Sequence, residues 1–290
     1  MKHVVETPTA PFLAMAGALE VHQILSWEDN LIWLAVCTAT KTAAVVDGPE
    51  AGGVLDYCEA HGLRLTTILN THTHADHIGV NVDLKRRGLL EGLTVVGCGD
   101  VASAIPGITT HVDEGSEVRI GEVVGRVMRT EGHIDGHVSY VFGDVLFCGD
   151  TLFAGGCGYL FDGPPEKMFD SLMRLAELPG GTRVCCAHEY TQDNLRFAWS
   201  VEPDNEALAE RIRHVWAVRG EGGSVVPSTI AVETATNPFL RPGSPTLRAR
   251  VADALPERTL ASFADVFAAT RALKDTKAYR ASGDTELPLS

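Results

Sequence analysis

Apolar positions fall in short runs through roughly the first two-thirds of the chain, and Gly- and Asp-bearing turns separate them. This pattern predicts β-strands over residues 21–25, 31–37, 43–47, 65–70, 94–97, 138–142, 145–149 and 183–187. Gly143-Asp144 between two of them signals a hairpin. Two stretches between strands have helical spacing. Residues 51–61 form one, stopped by Gly62. Residues 166–178 form the other, opened by Pro164-Pro165 and closed by Pro179-Gly180. Met168, Leu172, Leu175 and Ala176 lie on one face of the latter and read as core packing.

The pattern changes after about residue 190. Residues 206–219 carry Leu208, Ile212, Val215 and Trp216 on one face, and a last helix is predicted over 260–277. Gly-, Ser- and Pro-rich segments lie between, with no strand pattern. The chain therefore reads as a mixed α/β unit over residues 1–190 and a smaller helical unit over 191–290. Residues 12–19 are apolar, but Glu6 and Pro8 precede them and no small-residue cleavage site follows. They are expected to be strand or loop, not a leader.

Hydrophobic residues make up 45% of the 290 positions and charged residues 21%, which excludes a disordered or coiled-coil chain. No apolar run is long enough to cross a bilayer, so no membrane role is expected. The net charge of −14 disfavours nucleic acid as a partner. The seven cysteines are odd in number and lack a C-x-x-C pair, which predicts reduced thiols and a cytoplasmic setting. A monomer is expected.

The chemistry concentrates in Thr71-His72-Thr73-His74-Ala75-Asp76-His77, directly after a predicted strand. So many polar groups are costly to bury without a partner, and a divalent cation is the natural one. Extended spacing points His72 and His74 the same way, while Asp76 and His77 can turn elsewhere as a helix begins. Further donors follow later strands: His133 and His137 in Gly132-His133-Ile134-Asp135-Gly136-His137, Asp150 after Gly149, and His188 after residues 183–187. Asp47, before Gly48, reads equally as an outer support or a turn residue.

These residues resemble the H-x-H-x-D-H motif of the metallo-β-lactamase superfamily. The segments THTHADHIG, GHIDGHVSY, FCGDTLFAGGCG, CAHEYTQDNLRFA, VPST and NPFLR, in that order, are similar to glyoxalase II, the hydroxyacylglutathione hydrolases. The resemblance implies an αββα sandwich followed by a smaller C-terminal helical domain. It implies two divalent metal ions, zinc by first expectation, with iron or manganese as alternatives. His72, His74 and His133 would hold one; Asp76, His77 and His188 the other; Asp150 would bridge both. Asp76, His77 and Asp150 would be catalytic. His137 matches a family histidine that is not a ligand.

The implied reaction is hydrolysis of S-D-lactoylglutathione to D-lactate and glutathione by a metal-bridging hydroxide. The implied partner is thus a small glutathione thioester, bound by Tyr159, Tyr190, Arg271 and Lys274. One departure stands out. The family carries Lys or Arg after Gly156-Cys157-Gly158, and here that position is Tyr159. A hydroxyl donates a neutral hydrogen bond, about half as strong as a charge-assisted one. Weaker glutathione-thioester binding or a modified carrier is the expectation. Hydrolysis of another thioester or a lactone, a mono-iron persulfide dioxygenase and a non-catalytic metal binder are the competing readings.

Overall fold

The computed structural model describes residues 2–289. Two sheets form its centre. The first has seven strands in sequence order: β1 (Phe12–Ala14), β2 (Leu19–Ser26), β3 (Asn30–Cys37), β4 (Thr42–Val46), β5 (Arg64–Leu69), β6 (Thr94–Cys98) and β7 (Thr110–Val112). Strands β1–β4 are antiparallel, and β4–β7 run parallel. The parallel part requires three crossovers, which α1 (Gly52–His61), α2 (Ala75–Arg86) and a connection with a short 3-10 segment (Gly99–Ala104) supply.

Strand β3 shows why the sheet has covered faces. Leu31, Trp33, Ala35 and Cys37 enter the core between the sheets, while Ile32, Leu34 and Val36 join Val54, Val80 and Leu84 beneath α1 and α2. A strand buried on both sides reads as a continuous apolar run, as 31–37 does.

The second sheet is built from β8 (Glu117–Ile120), β9 (Val123–Arg129), β10 (Val138–Phe142) and β11 (Val145–Gly149). After a small hairpin of β12 (Leu152–Phe153) and β13 (Gly156–Cys157), β14 (Arg183–Cys186) joins it parallel to β11. Every residue of β10 and β11 is buried, so this sheet also carries a layer on each side. Met168, Leu172 and Leu175 of α3 (Pro165–Ala176) belong to that core. The layering is αββα.

The C-terminal segment holds α4 (Thr191–Val201), α5 (Glu206–Gly220), α6 (Ile230–Thr236), α7 (Pro245–Ala254) and α8 (Phe263–Asp275). Ser262 starts α8 with a reciprocal capping box to Asp265. The expectation of no strand beyond residue 190 needs correction. β15 (Ser228–Thr229) pairs antiparallel with β14 and forms an edge of the second sheet. Two polar residues after a proline leave no hydrophobic period to read. Phe197, Phe239 and Phe267 also enter the core that holds Leu152 and Phe153.

Candidate metal centre and carrier pocket

Four strand ends bring the donors together. β5 ends at Leu69, the chain bends at Thr71, and His74, with extended backbone angles, stands at the N-cap position of α2. The first turn of α2 then swings Asp76 and His77 to another side. The loop between β9 and β10 delivers His133, the end of β11 delivers Asp150, and the end of β14 delivers His188. All seven lie around one space.

They divide into two halves. In the first, His72 Nε2 and His133 Nε2 each lie 3.0 Å from His74 Nδ1. In the second, Asp76 Oδ2 lies 3.6 Å from His77 Nε2 and 3.3 Å from His188 Nε2. Asp150 faces both halves. Its Oδ2 is 3.5 Å from His133 Nε2, and its Oδ1 is 3.5 Å from His77 Nε2 and 3.5 Å from His188 Nε2.

The outer nitrogens fix the tautomers. Thr71 Oγ1 donates to Asp47 Oδ2 (2.6 Å), so it accepts from His72 Nδ1 at 3.0 Å. His133 Nδ1 donates to the Tyr159 carbonyl at 2.7 Å. Neutral His72 and His133 therefore aim bare lone pairs inward at His74 Nδ1. One proton there satisfies only one of them, whereas a cation satisfies all three nitrogens. In the second half, His77 Nε2 and Asp150 Oδ1 are buried without a hydrogen-bond partner. Orphaned buried donors of N and O type fit divalent cations of the zinc, iron or manganese kind.

The electrostatics follow this geometry. Burial, with the neighbouring histidines, holds His72 far below its ordinary pKa. Burial also lowers His74 and His133 against the pull of Asp150. Burial opposes the charged form of His188 too, but Asp150, Asp29 and Asp76 outweigh it and push its pKa up to about 10. Asp76 loses water, yet His188, His77 and the Asn30 amide hold it well below the usual carboxylate range.

Asp47 groups spatially with His72 and His77. Its oxygens are already engaged, by Thr71 N (2.8 Å), Thr71 Oγ1 and His77 Nδ1 (3.0 Å), so it supports the centre from outside. His137 is likewise engaged. Its Nε2 accepts from the Asp150 backbone N–H at 3.2 Å.

Sequence reasoning passed over three contributors. Asp29 Oδ1 lies 2.8 Å from His188 Nδ1, and Asn30 Nδ2 donates to Asp76 Oδ2 at 3.0 Å. Both sit at the β2–β3 turn, where Asp-Asn reads as ordinary turn chemistry. The Asn30–His188 bridge that closes this geometry is non-local. Phe161 sets its ring edge-on to His74 and His133, 5.2 Å from each. The apolar residue in an irregular stretch carried no such signal.

The four proposed carrier contacts line an adjoining pocket, which shares Phe153, Tyr159 and Tyr190 with the metal-centre cavity. Tyr190 stacks on His188 with ring centroids 4.9 Å apart and nearly parallel planes. Arg271 and Lys274 reach in from α8, and both are buried. Arg271 Nη1 donates to the Cys157 carbonyl at 3.1 Å, and its Nη2 pairs with Asp275 at 2.6 Å. Lys274 Nζ donates to Asn194 Oδ1. Burial and the neighbouring Arg271 push Lys274 down to about 7. Tyr159 remains half-exposed at the shared wall.

Comparison with known proteins now decides the kinship. A hydroxyacylglutathione hydrolase of Methylococcus capsulatus is 48% identical over 260 residues, covering 89% of this chain and 98% of that protein. The chain belongs to the hydroxyacylglutathione hydrolase family. A hydroxyacylglutathione hydrolase of Gloeobacter violaceus is 47% identical over 88% of this chain and 98% of its own length. The family model "Hydroxyacylglutathione hydrolase C-terminus" matches residues 189–277, and "Metallo-beta-lactamase superfamily" matches residues 100–188. Among solved structures, ETHE1 from Myxococcus xanthus superposes with a TM-score of 0.58 at 28% identity, over 78% of this chain and 86% of its own. The αββα fold and the enzyme class expected from the motifs follow from this kinship, and the superfamily implies divalent metal binding. No described helix is long and apolar enough to cross a membrane.

Proposed function

We propose that this enzyme hydrolyses 2-hydroxyacylglutathione thioesters, taking S-D-lactoylglutathione to D-lactate and glutathione, at a centre for two divalent cations. The observation that carries the reading is Asp150, whose two oxygens face two separate donor sets. Bound divalent cations lower the pKa of water to about 7 and polarise a carbonyl, and that is the chemistry they would supply. His72, His74 and His133 would hold one and Asp76, His77 and His188 the other. Zinc suits this donor set best.

The remaining work falls to the chain itself. Asp47, Asp29, the Tyr159 carbonyl and the Thr71 hydroxyl fix which nitrogen of His77, His188, His133 and His72 faces inward. Phe153 and Phe161 give the cavity beside the donors an apolar wall against which the acyl group would rest. Arg271 and Lys274 supply positive charge for the carboxylates of the carrier, with Tyr190 at the junction. A thiolate leaves readily, so no side chain is required as a strong acid. The seven buried, unpaired thiols suit a reducing cytoplasm.

Steady-state hydrolysis of S-D-lactoylglutathione, run beside other thioesters and lactones on one metal-analysed preparation, tests the reading. S-D-lactoylglutathione should give the highest kcat/KM with two ions per chain. A higher kcat/KM for a thioester of a different carrier, or for a lactone, would contradict it.

A further inference from the structure

The two donor sets differ in what stands behind them. In the first, His72 rests on the Thr71 hydroxyl and His133 on the Tyr159 carbonyl, both neutral. Its three imidazoles carry no formal charge of their own. In the second, Asp76 is itself a carboxylate. Asp47 backs His77 at 3.0 Å, and Asp29 backs His188 at 2.8 Å. Leaving out the shared Asp150, three carboxylates thus serve one position and none directly backs an imidazole of the other.

Asp29 and Asn30 concentrate this bias in a single turn. Asp29 accepts from His188, while Asn30 fixes Asp76 Oδ2 by donating to it. The backbone locks the turn onto the same strand end: Glu189 N donates to the Asp29 carbonyl at 2.9 Å, and Leu31 N donates to the Ala187 carbonyl at 2.7 Å. Asp29 and Asn30 therefore stay in register with His188. A carboxylate behind an imidazole raises its basicity as a ligand and holds its ring.

Resting on the two-ion reading above, we infer that Asp29, with Asn30, is a positioning residue that makes the Asp76–His77–His188 position the tighter cation site. The ion among His72, His74 and His133 is then the exchangeable one. Loading proceeds from the second position, and chelation empties the first.

The test is stepwise zinc binding to metal-free full-length protein, read by competition with a chromophoric chelator. Wild type should take up two ions with dissociation constants at least about tenfold apart. Asp29→Asn keeps the size and an acceptor oxygen but removes the charge. It should weaken the tighter step by about tenfold, the low end of the usual cost of losing an outer partner, bringing the two steps close together, and leave the weaker step within about threefold. Asn30→Ala should weaken the same step. A purely structural role would lower the melting temperature and shift both steps together, which overturns the inference. Two equal steps in wild type, a loss confined to the weaker step, or no change in either also overturn it. A wild type that takes up only one ion contradicts the two-ion reading and this inference with it.

Discussion

Lys274 is a lysine that the fold keeps only partly charged near neutral pH. Burial and Arg271 bring its pKa to about 7, far below the 10.5 of an exposed lysine. The unfolded chain therefore binds a proton that the folded chain lacks between about pH 7 and 10.5, so this group makes stability rise with pH across that window. Carrier binding has the opposite slope, because the pocket loses a charge as pH rises. The ratio of wild-type to Lys274→Met kcat/KM for S-D-lactoylglutathione should be about 10 or more at pH 6 and shrink toward one by pH 9, given the worth of a charge-assisted hydrogen bond. At the opposite wall, Tyr159→Arg should lower KM for the same substrate severalfold, since the residue is half-exposed and lines both cavities. The donors were legible in the sequence because histidines and aspartates at strand ends are rare and costly without a partner. What holds them was not. The Tyr159 carbonyl is a backbone group that any residue would present, and Asp29 meets His188 across 159 positions.

Among the elements, α2 is held at an unusual closeness. Val80 N donates to the Gly48 carbonyl at 2.9 Å, and a Cβ on Gly79 would stand 2.0 Å from the Pro49 carbonyl oxygen. Only a glycine allows this approach. Gly79→Ala should cost about 3 kcal/mol of stability, the upper end for overpacking. It should also lower metal affinity, because α2 carries Asp76 and His77. Thermal melting and metal content of the purified variant check both. The strands of this region were readable because β3 and β4 are apolar after their first residues, Asn30 and Thr42. β9 escaped notice because Gly125, Arg126 and Arg129 interrupt its apolar run, and β8 because it is an edge strand of four residues with only Val118 and Ile120 turned inward. The short helices α4, α6 and α7 escaped too. Their buried faces are completed by aromatic neighbours from elsewhere in the chain, such as Phe239 and Phe267.

Across the whole molecule, Glu233 ties the C-terminal helices to the hairpin beside the centre. It is fully buried, pairs with Arg211 of α5, and accepts from Gly155 N at 2.8 Å and Asn237 Nδ2 at 3.0 Å. Glu233→Ala would strand the Arg211 guanidinium and should cost about 3–5 kcal/mol, read as a lowered urea midpoint. At temperatures where the variant stays folded, KM should rise more than kcat falls, because Arg271 and Lys274, the carrier contacts proposed above, ride on α8 of the helical segment. This linkage could not be read from either segment alone.

The central claim is that two cations share Asp150. Metal content and S-D-lactoylglutathione hydrolysis of folded Asp150→Ala, beside wild type, test it most directly. The account predicts two ions per wild-type chain, fewer than two in the variant, and kcat reduced by about a hundred- to a thousandfold, the scale of losing a principal electrostatic contributor. A folded variant that keeps two ions and hydrolyses the thioester at the wild-type rate would contradict it.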